Sequence, residues 1–190
     1  MTRTADPAFR AAPPARYPLP MRLLHWLRAA LILGLLGLGL YMTSLPDADP
    51  AKHGQLYPLH KGFGMIALAV VVTALLTRAR SVIPAEVEAI AQWERALATF
   101  VHRGLMVLSV AVPVFGYCMS SSYSHGGVPF FGLDLPRLVP VNDAVSDLFT
   151  TLHNGAAWTL LGFAVLHILG ALKHRVIDSN PAADVLGRML

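Results

Sequence analysis

The chain has 190 residues, of which 55% are apolar and only 14% charged, and its mean hydropathy is +0.54. Soluble domains average roughly 45–50% apolar and about 25% charged residues, so this composition excludes an ordinary soluble globule. The net charge of +4 does not indicate a nucleic-acid partner, because the Lys and Arg residues lie at the ends of apolar segments rather than in a continuous stripe.

In chain order, the first 20 residues are polar and rich in proline, which predicts a disordered cytoplasmic tail over residues 1–20. Each of the four apolar segments that follow is close to the roughly 20 residues that span a membrane, and they leave too little polar surface for a soluble bundle. They are too long and too uniformly apolar for barrel strands. We therefore predict an all-α fold, an integral membrane four-helix up-down bundle over residues 21–176, with a C-terminal cytoplasmic tail over residues 177–190. The four segments are Leu23–Met42, Leu59–Thr77, Ala96–Met119 and Leu148–Leu172.

The distribution of basic residues predicts the orientation in the membrane. Suppose that both termini and the connection between the second and third segments (Arg78–Arg95) lie on one side of the membrane. That side, counting the helix ends, then holds twelve of the 15 Lys and Arg residues, and the other side holds Lys52, Lys61 and Arg137. The positive-inside rule then predicts a multi-pass protein of the cell inner membrane with both termini in the cytoplasm. On the opposite side, Ser120–Asp147 is expected to form a long loop rich in glycine and proline.

Five of the eight histidines fall within the apolar segments, where ionisable residues are costly and usually functional. A lone membrane histidine is often only an interhelical hydrogen-bonder, but these five form a pattern when the helices are threaded up and down. His25 and His167 come to the cytoplasmic level, whereas His60 and His153 come to the outer level, and His102 is left without a partner. His153 and His167 are 14 residues apart, which is about 40° short of four full helical turns, so both side chains project from nearly the same face of the helix. Along the helix axis they are about 21 Å apart.

Two histidines at each level indicate haem rather than structural zinc, which takes about four nitrogen or sulfur ligands. The porphyrin fills four of the six iron positions, and two opposed imidazoles complete the set. The chain has one cysteine, Cys118, and no Cys-x-x-Cys-His motif, so covalent attachment is excluded. We therefore predict two non-covalent haem b groups with bis-histidine ligation, and no catalytic residue, because no coordination position stays open for a substrate.

A series of motifs occurs in order along nearly the whole chain, from Tyr17 to Leu190. They are LLHW, LHKGFG, VHRGLMVLSVAVPVFGY, GGVPFFGLDLP, the two Leu-His pairs of the fourth segment and a closing RML. Together they resemble the bacterial cytochrome b561 family of di-haem membrane proteins, which is related to the cytochrome b subunits of nickel–iron hydrogenases. The resemblance implies one haem on His25 and His167 and another on His60 and His153, in agreement with the threading. The long proline-rich leader departs from the family and does not touch this ligand set.

The resemblance also implies that His102 is not an axial ligand. We interpret His102 as lining the edge of the inner haem near a propionate or a quinone head group, with Arg103 beside it; a packing role is the alternative. Lys61 on the outer side, together with Lys52 and Arg137, would pair with propionates or steer a small anion inward, unless these residues are ordinary interface anchors. The remaining histidines are expected to be solvated in loops or tails; they are His53, His125 and His174.

The predicted function is electron transfer across the cytoplasmic membrane between a ubiquinone or quinol pool and a periplasmic partner, such as a soluble redox protein or the small anion superoxide. One alternative is the membrane anchor subunit of a larger dehydrogenase or hydrogenase complex. An alternative of another class is a transporter or intramembrane metal-binding protein, which would need helices broken at mid-membrane. Only Pro113 interrupts an apolar segment in that way.

Overall fold

The computed structural model describes residues 16–85, 87–123 and 127–190, and four long helices dominate it. Each helix is long and apolar enough to cross a membrane, so the predicted all-α membrane bundle is confirmed. Most of the predicted disordered tail lies outside the described residues, and the first helix begins at the end of that range. The helices are α1 (Leu19–Ser44), α2 (Tyr57–Ala79), α3 (Gln92–Tyr123) and α4 (Asp143–Val176).

The ends of the helices follow from local sequence signals. Pro20 and Pro58 lie in the first turns of α1 and α2, where a missing N–H costs nothing and the fixed φ favours the helix. Asn142 caps α4, because its side-chain oxygen accepts a hydrogen bond of 3.1 Å from the backbone N–H of Val145. A π-helical turn, Lys52–Leu56, leads directly into α2.

The helices pack as two pairs, α1 with α2 and α3 with α4, and α2 also contacts α3. Phe163 of α4 inserts against Gly104 of α3, where a β-carbon would overlap the Phe163 ring, so this close contact favours glycine. Few side chains are buried between the helices, and most of the apolar surface faces outward, as expected in lipid. We call the end where α1 begins and α4 ends the terminal end, and the opposite end the hairpin end.

A short antiparallel hairpin lies within the predicted loop between α3 and α4. Its strands are β1 (Val128–Phe130) and β2 (Leu133–Leu135). Phe131 and Gly132 form the turn with φ values of +46° and +86°, the positive pair that a type I′ hairpin turn requires. The Phe131 ring packs on Gly62 of α2, where a β-carbon would come within 2.8 Å of it. The hairpin therefore closes over the start of α2.

Residues 177–190, predicted as a tail, fold back against the terminal end of the bundle. They contain two 3-10 turns, Pro181–Ala183 and Leu186–Arg188, and Ala183 is fully buried. The prediction that His174 is solvated in a tail was wrong, because His174 belongs to the last turns of α4 and its Nδ1 lies 2.7 Å from the Asp178 carboxylate. Hydrogen bonds from His174 and Lys173 hold the pKa of Asp178 below its ordinary value.

Candidate cofactor sites

Two pairs of histidines face each other across the bundle, one pair at each end. At the terminal end the ring centroids of His25 (α1) and His167 (α4) are 6.2 Å apart, with the ring planes at 69°. At the hairpin end the centroids of His60 (α2) and His153 (α4) are also 6.2 Å apart, with the planes at 86°. The structure thus brings together the pairs that the threading predicted, and one helix, α4, contributes to both.

His153 is oriented by a hydrogen bond to the main chain of α3. Its Nδ1 lies 2.9 Å from the carbonyl oxygen of Val112. Because a carbonyl can only accept, Nδ1 must carry the hydrogen, which leaves Nε2 with a lone pair for a metal. Gly116, one turn further along α3, gives the ring room: a β-carbon there would lie 3.0 Å from both Cε1 and Nδ1 of His153.

His60 has a different environment on the other side of the same site. Its Cε1 faces Gly39 of α1, where a β-carbon would lie at 3.5 Å. Its Nδ1 is buried, and no hydrogen-bond partner for it lies in the described part of the chain. A buried polar atom of this kind calls for an explanation, which a bound group would supply.

The geometry of both pairs fits an iron ion held between two imidazoles. Metal–imidazole bonds are about 2 Å long, so two rings that bind one metal from opposite sides have centroids roughly 6 Å apart. Within residues 16–85, 87–123 and 127–190 no cluster of three or more His, Cys, Asp or Glu side chains is placed to hold a metal ion. Each site therefore offers two imidazole nitrogens, which suits a metal whose other ligands come from a cofactor, as in haem.

Comparisons with known proteins agree with this chemistry. The sequence model of the prokaryotic cytochrome b561 family matches residues 16–188. The chain is also similar to cytochrome b561 homolog 2 of Escherichia coli K12, with 31% identity over 177 residues, which is 93% of this chain and 92% of that protein. This chain belongs to the prokaryotic cytochrome b561 family. It is therefore a multi-pass membrane electron-transfer protein that binds haem b, and the family resemblance found in the motifs is confirmed.

In this cytochrome b561 family member, a third imidazole lies beside the terminal-end pair. The ring centroid of His102 (α3) is 5.1 Å from that of His167, with the planes at 70°, and the His102 side chain is exposed. Arg103, the next residue, is also exposed and forms no hydrogen bond or ion pair with the described residues. The structure therefore brings His102 to the terminal-end site, whereas a role for Arg103 stays a prediction.

Two arginines, which the sequence analysis counted only among the twelve basic residues of the cytoplasmic side, also lie near the terminal-end site. Arg28 lies within electrostatic range of His25 and His167, and Arg78 lies within range of both Arg28 and His102. Neither arginine forms an ion pair with a carboxylate of the described residues. A sequence signal was present, because Arg78 follows His60 by 18 residues, about five full turns of α2, and so lies on the same face.

The three basic residues predicted on the outer side have different surroundings. Lys52 is buried, and its ammonium group donates to the Leu45 carbonyl at 2.9 Å and to Asp47 at 2.6 Å, so it fixes the connection between α1 and α2. The hydrogen bond from Lys52 lowers the pKa of Asp47. Lys61 is half-buried and within electrostatic range of His60, whereas Arg137 is exposed. Lys61 therefore lies close to the hairpin-end pair, whereas Lys52 is engaged in the connection and a role for Arg137 stays a prediction.

Proposed function

We propose that this protein carries electrons across the cytoplasmic membrane between a quinone pool and a periplasmic donor or acceptor. His25 with His167 would hold one haem b, and His60 with His153 would hold the other. The observation that carries the proposal is the equal spacing of the two imidazole pairs, 6.2 Å at each end of the bundle, with α4 shared by both.

The ligand pattern supports electron transfer rather than substrate chemistry. Haem iron would supply one-electron chemistry at each site, and two histidine ligands for each iron would leave no open position for oxygen or a substrate. The protein contributes position: 14 residues of α4 separate His153 from His167 by about 21 Å along the helix axis. That spacing places one site near each face of a hydrocarbon core of about 30 Å.

The charges at the terminal end support an anionic cofactor and a nearby quinone. Arg28 lies near the His25–His167 pair and Arg78 lies near Arg28 and His102, and carboxylates of the described residues do not neutralise either charge. The two arginines would hold the propionate groups of the haem at this end, because paired charges are far less costly in a membrane than lone ones. His102, exposed and beside His167, is placed to hydrogen-bond a quinone head group that arrives from the bilayer.

The hairpin end would exchange electrons with the periplasmic partner. The excess of basic residues at the terminal end favours its cytoplasmic location, with both termini inside. Lys61, next to His60, adds positive charge near the outer site and would attract a small anion such as superoxide.

Purified protein in liposomes tests this function directly. With quinol in the membrane and a membrane-impermeant electron acceptor outside, we expect the haem bands to become reduced by quinol and the acceptor to consume the electrons, with no other subunit present. His167→Ala breaks the terminal-end pair and should abolish transfer between the two faces. If quinol leaves the haems of the intact protein oxidised until another subunit is added, the protein is an anchor for a larger complex instead.

A further inference from the structure

The residues after α4 form a connection between separate parts of the terminal end. We call residues 177–190 the C-terminal strap. The strap is tied to the end of α4, since Asp184 accepts a 2.8 Å hydrogen bond from Arg175. It is tied to the segment between α2 and α3, since Arg188 donates to the Ala85 carbonyl at 2.7 Å. Its own shape is held by Asp184, which also accepts from the Gly187 N–H at 3.0 Å.

The strap also reaches α1, at the residue next to an axial histidine. The indole Nε1–H of Trp26 donates to the Met189 carbonyl at 2.9 Å, and the backbone N–H of Tyr17 donates to the Arg188 carbonyl at 3.1 Å. The Trp26 ring in turn lies edge-to-face against the imidazole of His25, with centroids 5.3 Å apart and planes at 80°. A continuous set of contacts therefore leads from the strap to His25.

This connection matters because the two helices that carry the terminal-end pair make little direct contact. Among the described residues, α1 packs mainly on α2, and α4 packs mainly on α3. Direct packing therefore does little to hold His25 at the distance from His167 that one iron requires. The strap bridges that gap, since it is bonded to α4 at one end and to α1 at the other.

We propose that the C-terminal strap and Trp26 position His25, and thereby set the ligand geometry of the terminal-end haem without affecting the other haem. Trp26 is a positioning residue: the Met189 carbonyl fixes the indole, and the indole limits the rotation of the His25 ring. The 69° between the His25 and His167 rings is then a property that the strap maintains. This inference depends on the proposed di-haem ligation.

Trp26→Phe tests the inference, because it keeps an aromatic ring beside His25 and removes the donor to Met189. The electron paramagnetic resonance signal of a low-spin ferric haem depends on the angle between its two axial rings, so the signal of one haem should shift. We expect haem release from that site to become about five-fold faster, the size of one lost hydrogen bond. The haem affected is the one whose signal His25→Ala removes.

Two further variants make the test independent of the Trp26 ring itself. Asp184→Ala removes the bonds to Arg175 and Gly187, does not alter α1, and should shift the same signal. Trp158→Phe makes the same chemical change at an exposed tryptophan of α4 and should leave both haems as they are. The inference is overturned if Trp26→Phe and Asp184→Ala both leave the two signals and the release rates unchanged. A wild-type protein without two bis-histidine haems would overturn the proposed function instead.

Discussion

Replacing His60 by alanine is expected to remove one haem from each chain and to leave the other in place. His60 and His153 form the hairpin-end pair, and among the described residues no other imidazole pairs with His153, so no described histidine would replace His60. The terminal-end pair lies about 21 Å away along α4 and shares no ligand with it. The haem content of purified protein should therefore fall by half, and His153→Ala should give the same result.

His53→Ala is the matched control for this prediction. His53 also lies at the hairpin end, but it is exposed and its ring stacks on Tyr57 at 5.3 Å rather than on another imidazole. The His53→Ala variant should retain both haems. Pyridine haemochrome absorbance, with protein determined by amino-acid analysis, measures the ratio. Full haem content in both His60→Ala and His153→Ala would contradict the ligand assignment at this end.

The second large effect concerns the terminal end, where three imidazoles lie together and the proposed ligation uses two of them. We expect His25→Ala to remove the terminal-end haem and His102→Ala to retain it. The reason is geometric: His25 is 6.2 Å from His167, the same spacing as in the other pair, whereas His102 is only 5.1 Å away, too close for two rings on opposite sides of one iron.

The two variants are compared by haem content and by the rate of reduction with quinol. His102→Ala should keep both haems and lose speed only in quinol-dependent reduction, since His102 is exposed beside the site rather than part of the ligand pair. Haem loss in His102→Ala together with full content in His25→Ala would exchange the roles of the two residues. The account of the terminal end would then be wrong.

Much of the site could be predicted because helix geometry is regular. The 14-residue interval between His153 and His167 fixes a shared face and a separation along α4 whatever the neighbouring helices do. Up-and-down threading then assigns His25 and His60 to the two levels, because short connections leave few other topologies. The same regularity places Arg78 on the face of α2 that carries His60, 18 residues earlier. The sequence analysis nevertheless counted Arg78 only among the basic residues that orient the chain.

The parts that could not be predicted depend on contacts between segments that are distant in the sequence. The hairpin has strands of only three residues and a turn with Phe131 at a positive φ, which no propensity favours. The C-terminal strap has no hydrophobic periodicity, and what orders it is its set of bonds to Ala85, Trp26 and Arg175. Such structure exists only after the bundle has formed, so a local sequence pattern cannot reveal it.

The central claim is that α4 presents one imidazole to each of two irons, each completed by a histidine from another helix. Electron paramagnetic resonance of the purified, oxidised protein, combined with haem quantification, tests it most directly. We predict two haems per chain, both low-spin and both strongly anisotropic because the paired rings are inclined at 69° and 86°. A single haem per chain, or a high-spin signal from an iron with an open position in the intact protein, would contradict it.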